Sequence, residues 1–156
     1  MTDRLQNKVP IVFGAGSIEL GRDNGKASAA LFAANGANVI CLDINRTAAE
    51  QTTDIITCEG GRASAYAFDV TDSAAASNLV ASVVREHGRS DMLHNNVGYA
   101  TMGGPIELDE AASQRTFDLN VKSCFITYQH VLEQKFSATV TSRRDLPCIT
   151  PGTASA

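Results

Sequence analysis

A short apolar run leads directly into a glycine-rich turn in the stretch Val9-Pro-Ile-Val-Phe-Gly-Ala-Gly-Ser-Ile-Glu-Leu-Gly-Arg-Asp-Asn-Gly25. The run is rich in β-branched residues, which is typical of a buried parallel strand before a tight turn. Pro10 cannot donate to a sheet ladder, so we expect it at the first residue of the strand or at an unpaired position. Asn24 is the predicted cap of a helix over residues 26–34, which Asn35-Gly36 would close.

Strands and helices alternate along the rest of the sequence up to residue 135. Short, largely apolar runs mark the strands, and apolar residues repeated every three or four positions mark the helices. This order indicates parallel βαβ units, and hence an α/β fold with a doubly wound parallel sheet of about four to five strands. The further predicted strands are 38–42, 63–68 and 91–95. The further predicted helices are one at 47–58, one that starts at Thr71-Asp72-Ser73 and ends at Gly88, and a long one from Asp109 onward.

The long helix is predicted to carry one apolar stripe, and the periodicity ends after it. Residues 137–141 can form a fifth strand, but the segment from Arg143 onward, with its prolines and small residues, follows no period. We therefore divide the chain into a domain at 1–135 and an irregular or disordered tail at 136–156. The stripe comprises Phe117, Val121, Cys124, Phe125, Tyr128, Val131 and Leu132.

Composition narrows the classes of function. The 156 residues, 44% of them hydrophobic, suffice for one core, and the net charge of −4 without a basic run argues against a nucleic-acid partner. No apolar stretch is long enough to span a membrane, and the N-terminus does not resemble a signal peptide. Cys41, Cys58, Cys124 and Cys148 form no CxxC pair, so we expect reduced core thiols, no metal site and a cytoplasmic location.

The glycine-rich turn has two interpretations. Between a strand and a helix, glycines let the backbone approach a pyrophosphate at the helix N-terminus, yet similar turns occur without a ligand, and the spacing here is not GxGxxG. Asp43 favours the first interpretation. At the end of the second strand, an acidic side chain can accept hydrogen bonds from both hydroxyls of an adenosine ribose. The alternative is that Asp43-Ile-Asn45 only caps the next helix.

Five features in a fixed order resemble the short-chain dehydrogenases/reductases over about residues 8–135. The resemblance implies a partial Rossmann-like dinucleotide-binding domain with strand order 3-2-1-4, and the long turn is similar to a subgroup with an extended phosphate loop. The features are the turn Gly14–Gly25, Asp43, Asp69-Val70, Asn95-Asn96-Val97-Gly98, and Asn120 within Leu-Asn-Val-Lys-Ser.

The resemblance also implies roles for the matching residues. Asp43 favours NAD over NADP, because its carboxylate would repel a 2′-phosphate. Arg22 and Lys26 are candidates to meet a phosphate. Glu19 and Asp23 replace glycines of related loops and either weaken cofactor binding or face solvent. By resemblance, Gly14, Gly16 and Gly25 would shape the cofactor turn, Asp43 would hold the adenosine ribose, and Asp69 and Val70 would flank the adenine. Asn95, Asn96 and Gly98 would line the path of the ribose and nicotinamide. Asn120 would be a catalytic residue that bends the helix and holds a water molecule.

One departure from the family's sequence pattern concerns the residues needed for catalytic turnover. In the family, a tyrosine moves the proton with help from a lysine four residues later, and a serine holds the substrate oxygen. None of the three tyrosines, Tyr66, Tyr99 and Tyr128, has a lysine at that spacing, and Ser142 is the one weak candidate for the serine. The family pattern also ends abruptly after Lys135, which suggests a truncated or frame-shifted member.

Three hypotheses remain. The first is an NAD(P)-dependent oxidoreductase for a small-molecule alcohol or ketone, of which this chain holds the cofactor half. The second is a non-catalytic nucleotide-binding or partner-binding fragment, and an open sheet edge would favour self-association in either case. The third, a nucleotide-free or flavodoxin-like α/β domain, leaves Asn120 unexplained. Among the histidines, His94 is expected to pack in the core rather than act as a base.

Overall fold

The computed structural model describes residues 4–16 and 23–142, and its side chains as far as residue 134. The alternation of strands and helices is confirmed, with most boundaries within one residue of the prediction. The elements are β1 (Pro10–Phe13), α1 (Asn24–Ala34), β2 (Asn38–Asp43), α2 (Arg46–Cys58), β3 (Arg62–Ala67), α3 (Ser73–His87), β4 (Met92–Asn95), α4 (Glu110–Phe117), a π-helical turn (Asp118–Lys122) and α5 (Ser123–Ser142).

The four strands form one parallel sheet in the order β3-β2-β1-β4. Pro10 is the first residue of β1, where its missing N–H costs no interior ladder bond. The prediction of a fifth strand at 137–141 is wrong, because the backbone of α5 continues to Ser142. No glycine or proline interrupts that helix, so propagation continues at little cost. Residues 143–156, on which most of the predicted tail falls, lie outside the described residues.

Helix ends follow the expected capping chemistry with one correction. The cap of α1 is Asp23 and not Asn24, which is the first helical residue. Asp72, within the predicted capping triplet, caps α3 by accepting the Ala75 N–H at 2.9 Å. Gly88 ends α3 in the left-handed conformation with φ 74°, as a glycine after a helix permits.

The sheet is covered on both faces, which confirms the doubly wound architecture. Alternate residues of β1 point to opposite faces: Ile11 and Phe13 pack with residues of α3 and α5, and Val12 packs with residues of α1 and α2. Cys41 is fully buried beside Val12, and burial raises the pKa of its thiol to about 12. Cys58 is exposed, so the expectation of core cysteines is wrong at that position.

The predicted stripe on the long helix is divided between core and solvent. Val131 is 2% exposed and belongs to the core, together with Ile126. The π-helical turn inserts one extra residue into the helical repeat and rotates the residues before it relative to those after it. The remaining large apolar residues, Phe117, Val121, Phe125, Tyr128 and Leu132, are 44% to 67% exposed. Among the described helices, none is long and apolar enough to cross a membrane.

Candidate functional site

A cleft of about 640 Å³ lies at the carboxyl ends of the four strands. It is located where the strand order reverses between β1 and β4, the position at which open parallel sheets bind ligands. The loops after all four strands contribute to its wall. Seven of the residues predicted from sequence line the cleft: Gly14, Gly16, Asp43, Asp69, Val70, Asn96 and Gly98.

Asp43 is held in a fixed orientation at the end of β2. Its Oδ2 accepts the backbone N–H of Gly16 at 3.0 Å, and its Oδ1 accepts the backbone N–H of Asn45 at 2.9 Å. A Cβ added to Gly16 would lie 2.7 Å from the same Oδ2, so only glycine fits there. Within the described part of the chain, each carboxylate oxygen accepts one hydrogen bond, and a carboxylate oxygen has a further lone pair for a ligand hydroxyl.

Gly14 and Gly25 bring the end of β1 against the start of α1. Gly14 has φ 72°, a conformation that favours glycine. A Cβ added to Gly25 would lie 1.9 Å from the Gly14 carbonyl oxygen, and Asn96 Nδ2 donates to that oxygen at 3.2 Å. The cleft therefore lies at the N-terminus of α1, whose amides favour an anion.

Charged residues near the glycine-rich turn affect how well the cleft can bind a phosphate. Asp23 is exposed and lines the cleft, which places a carboxylate where a pyrophosphate is expected. Lys26 is only 6% exposed and is not among the residues that line the cleft. Glu19 and Arg22 lie outside the described residues.

Beyond β3, Asp69 closes a tight turn. Its Oδ1 accepts the Thr71 backbone N–H at 2.9 Å and the Thr71 hydroxyl at 2.7 Å. Val70 is buried at 6% exposure, whereas Asp69 remains exposed on the cleft wall. This pair offers one apolar surface and one acceptor to a ligand.

The two asparagines after β4 act on different elements. Asn96 binds the glycine turn, as described above, while Asn95 faces α5. The Thr127 hydroxyl, 1% exposed, donates to Asn95 Oδ1 at 3.1 Å. Among the described residues, Asn95 Nδ2 is buried without a hydrogen-bond partner.

Asn120 lies in the π-helical turn and is joined to the segment that follows β4. Its Nδ2 donates to the Tyr99 carbonyl oxygen at 2.6 Å, and its Oδ1 accepts the Tyr99 N–H at 2.9 Å. Asn120 Oδ1 also lies 3.5 Å from the position of a Cβ on Gly98. Insertions of this kind in helices are frequent at functional sites. Ser142 ends α5, and its side chain lies outside the described part of the chain.

Sequence reasoning missed most of the apolar residues of the cleft wall, among them Phe13, Leu42, Phe68, Ile44 and Leu119. Ile44 is 74% exposed directly after Asp43, and Leu119 directly precedes Asn120. The sequence offered one signal for Ile44 and Leu119, since each of these apolar residues is adjacent to a polar residue predicted to be in the site. His94 packs its ring edge-on against Phe32 with centroids 5.9 Å apart, but it is half-buried rather than fully in the core. No cluster able to hold a metal is found among the described residues.

Comparison with known proteins agrees with this geometry. The chain is 37% identical over 125 residues to the 7alpha-hydroxysteroid dehydrogenase of Escherichia coli, covering 78% of this chain and 46% of the relative. It is 34% identical over 130 residues to an uncharacterized oxidoreductase of Thermotoga maritima, covering 83% of this chain and 49% of the relative.

A similar structure is the NAD+-bound xylitol dehydrogenase, with a TM-score of 0.78 and 32% identity over 86% of this chain and 50% of that one. The chain spans about half the length of the curated relatives it matches. The family model for short chain dehydrogenases matches residues 20–140. With its parallel sheet and its cleft at the strand-order reversal, the chain belongs to the short chain dehydrogenase family.

Proposed function

We propose that this chain is the cofactor-binding half of an oxidoreductase that transfers a hydride between NAD and a small-molecule alcohol or ketone. The observation that carries the proposal is the Asp43 carboxylate, held in the cleft by two backbone amides. Family membership supports it, as do relatives named for steroid and xylitol dehydrogenation.

The residues of the cleft fit the adenosine end of the cofactor. Two ribose hydroxyls can donate to the two oxygens of Asp43, since each oxygen accepts one backbone amide hydrogen from the residues that the structure describes. A 2′-phosphate at the same position would be repelled by the carboxylate, so we propose NAD rather than NADP. Asp23 on the cleft wall would oppose a pyrophosphate, so we propose weak binding.

When bound, the nicotinamide ring would supply the hydride acceptor or donor. Asn120 would hold the segment after β4 against the end of the cleft through Tyr99. The sequence contains no tyrosine with a lysine four residues later. The second candidate is therefore a nucleotide-binding chain that does not itself turn over substrate.

Calorimetric titration with NADH and NADPH tests the assignment. We expect NADH to bind about tenfold more tightly than NADPH, a difference of roughly 1.4 kcal/mol, and Asp43→Ala to erase the preference. Asp54→Ala, at an exposed position of α2 outside the cleft, is the matched control and should keep the preference. Equal affinity of the unsubstituted chain for both nucleotides would overturn the ribose assignment.

A further inference from the structure

A second cluster of polar side chains lies where the first turn of α3 packs against α5. Ser73 Oγ is 3.0 Å from Nε2 of His130, which is 57 residues away in sequence. On the other side of the ring, His130 Nδ1 is 3.2 Å from Oε2 of Glu133. None of the three residues is among those that line the nucleotide cleft.

The direction of both hydrogen bonds follows from the chemistry of the partners. An ionised carboxylate only accepts hydrogen bonds, so the neutral imidazole must carry its hydrogen on Nδ1 and donate it to Glu133. Nε2 then has a free lone pair, and the Ser73 hydroxyl donates to it. Glu133 therefore orients the ring, and His130 is placed to take the proton of Ser73.

The proposed base, His130, and the proposed nucleophile, Ser73, differ in their exposure to solvent. The His130 side chain is 13% exposed, whereas that of Glu133 is 57% exposed and Ser73 is open to solvent. Ser73 is the first residue of a 15-residue helix. The first two amides of that helix have no partner within it and can stabilise a developing negative charge, whereas the Ala75 amide is accepted by Asp72. Asp72 caps that helix directly before Ser73, and its carboxylate at the helix end disfavours anionic substrates.

We propose that Ser73, His130 and Glu133 form a nucleophilic serine site that accepts the acyl group of uncharged, activated esters. Ser73 Oγ forms a bond to the ester carbonyl carbon while its proton passes to His130 Nε2. The bond from that carbon to the leaving oxygen then breaks, and the alcohol departs with the proton. Water, activated by the same imidazole, releases the carboxylic acid and restores Ser73. This site is independent of nucleotide binding.

A fluorophosphonate probe traps the first step on the whole chain, because the bond from Ser73 Oγ to phosphorus forms as fluoride leaves. Peptide mass spectrometry of the unsubstituted protein should place the adduct on Ser73. His130→Gln should lower the rate of labelling about 100-fold, the lower end of the range for a general base. Ser82→Ala, on the same helix, is the matched control and should label at the unsubstituted rate, since Ser82 Oγ donates to the Leu79 carbonyl instead.

Glu133 is a positioning residue, and its variants separate orientation from simple packing. Glu133→Gln should slow labelling, because a carboxamide can donate to Nδ1 and leave Nε2 protonated, whereas Glu133→Asp should restore part of the rate. Circular dichroism checks that each variant is folded. An adduct distributed over other serines, or an unchanged labelling rate in folded His130→Gln, would overturn the proposal. If a variant does not fold, the position of the adduct in the unsubstituted protein still decides the question.

Discussion

Gly25 and Gly14 approach so closely that a Cβ on Gly25 would lie 1.9 Å from the Gly14 carbonyl oxygen. This contact sets the distance between the end of β1 and the start of α1. Asn96 Nδ2 donates to the same oxygen at 3.2 Å, which links the turn to the end of β4.

Gly25→Ala should therefore weaken both folding and nucleotide binding. The added methyl must push α1 away from β1, a distortion of the kind that costs about 1–3 kcal/mol. Denaturant unfolding and NADH titration measure the two effects. Gly104→Ala is the control, since its Cβ would meet only the movable end of the Glu107 side chain. Equal stability of Gly25→Ala and the unsubstituted chain would contradict the observed approach.

Acidic residues in the turn provide a second prediction. A carboxylate about 6 Å from a pyrophosphate opposes binding by roughly 0.7 kcal/mol in water and about 3 kcal/mol at an effective dielectric near 20. Replacing Glu19 and Asp23 together by glycine should tighten NADH binding by a factor between roughly three and a hundred. Calorimetry measures this gain, and an unchanged affinity would show that both side chains face water.

We expect negligible oxidoreductase turnover by the purified 156-residue chain, because no tyrosine has a lysine four residues later. A panel of secondary alcohols and ketones with either nucleotide provides the assay. Sustained turnover that Asn120→Ala abolishes would refute this expectation. Amide exchange on the same variant should also show faster exchange around Tyr99, because its two hydrogen bonds to Asn120 are lost.

The surroundings of Asp91 predict that folding is sensitive to acid. Burial raises the pKa of its carboxyl, but hydrogen bonds from Arg89 and from the Val9 N–H, together with the charges of Arg89 and Lys8, outweigh burial and lower it. A lowered folded pKa means that this stabilisation is complete above about pH 5 and is lost as the pH falls through 4 and below.

Asp91→Asn should consequently lower the free energy of unfolding by about 2 kcal/mol at pH 7, the range of a charge-assisted hydrogen bond. Its stability should also decline less between about pH 5 and pH 3 than that of the unsubstituted chain. Denaturant titrations at several pH values measure both quantities. Asp54→Asn serves as the comparison, and parallel pH curves for Asp91→Asn and the unsubstituted chain would rule out this role.

The exposed apolar residues of α4, the π-helical turn and α5 predict self-association. Phe125 is 67% exposed in the middle of this group, and β4 is hydrogen-bonded on one side only, to β1, within the described chain. Phe125→Asp should shift the chain toward monomer in light scattering after gel filtration. Leu31→Asp, at a position 62% exposed on α1, should leave association unchanged. A monomeric unsubstituted chain at high concentration would argue against this interface.

Much of the fold could be predicted from local chemistry. Short apolar runs, periodic apolar residues and the capping aspartate at position 72 are local signals, and each predicted its element to within a few residues. The position of Asp43 at a strand end likewise followed from the end of an apolar run. These predictions were reliable because hydrogen bonding within a helix and alternation along a strand depend on near neighbours in sequence.

Contacts between distant segments required the tertiary structure. Asn120 was recognised from its motif, but its two hydrogen bonds to Tyr99 depend on how the π-helical turn meets the segment after β4. The exposed position of Phe125 was equally hidden, since helical periodicity defines a stripe but not which part of it finds a partner. Ser73 and His130 show the same limit: the sequence determined each helix, and only the packing of α3 against α5 brought a hydroxyl to an imidazole 57 residues away.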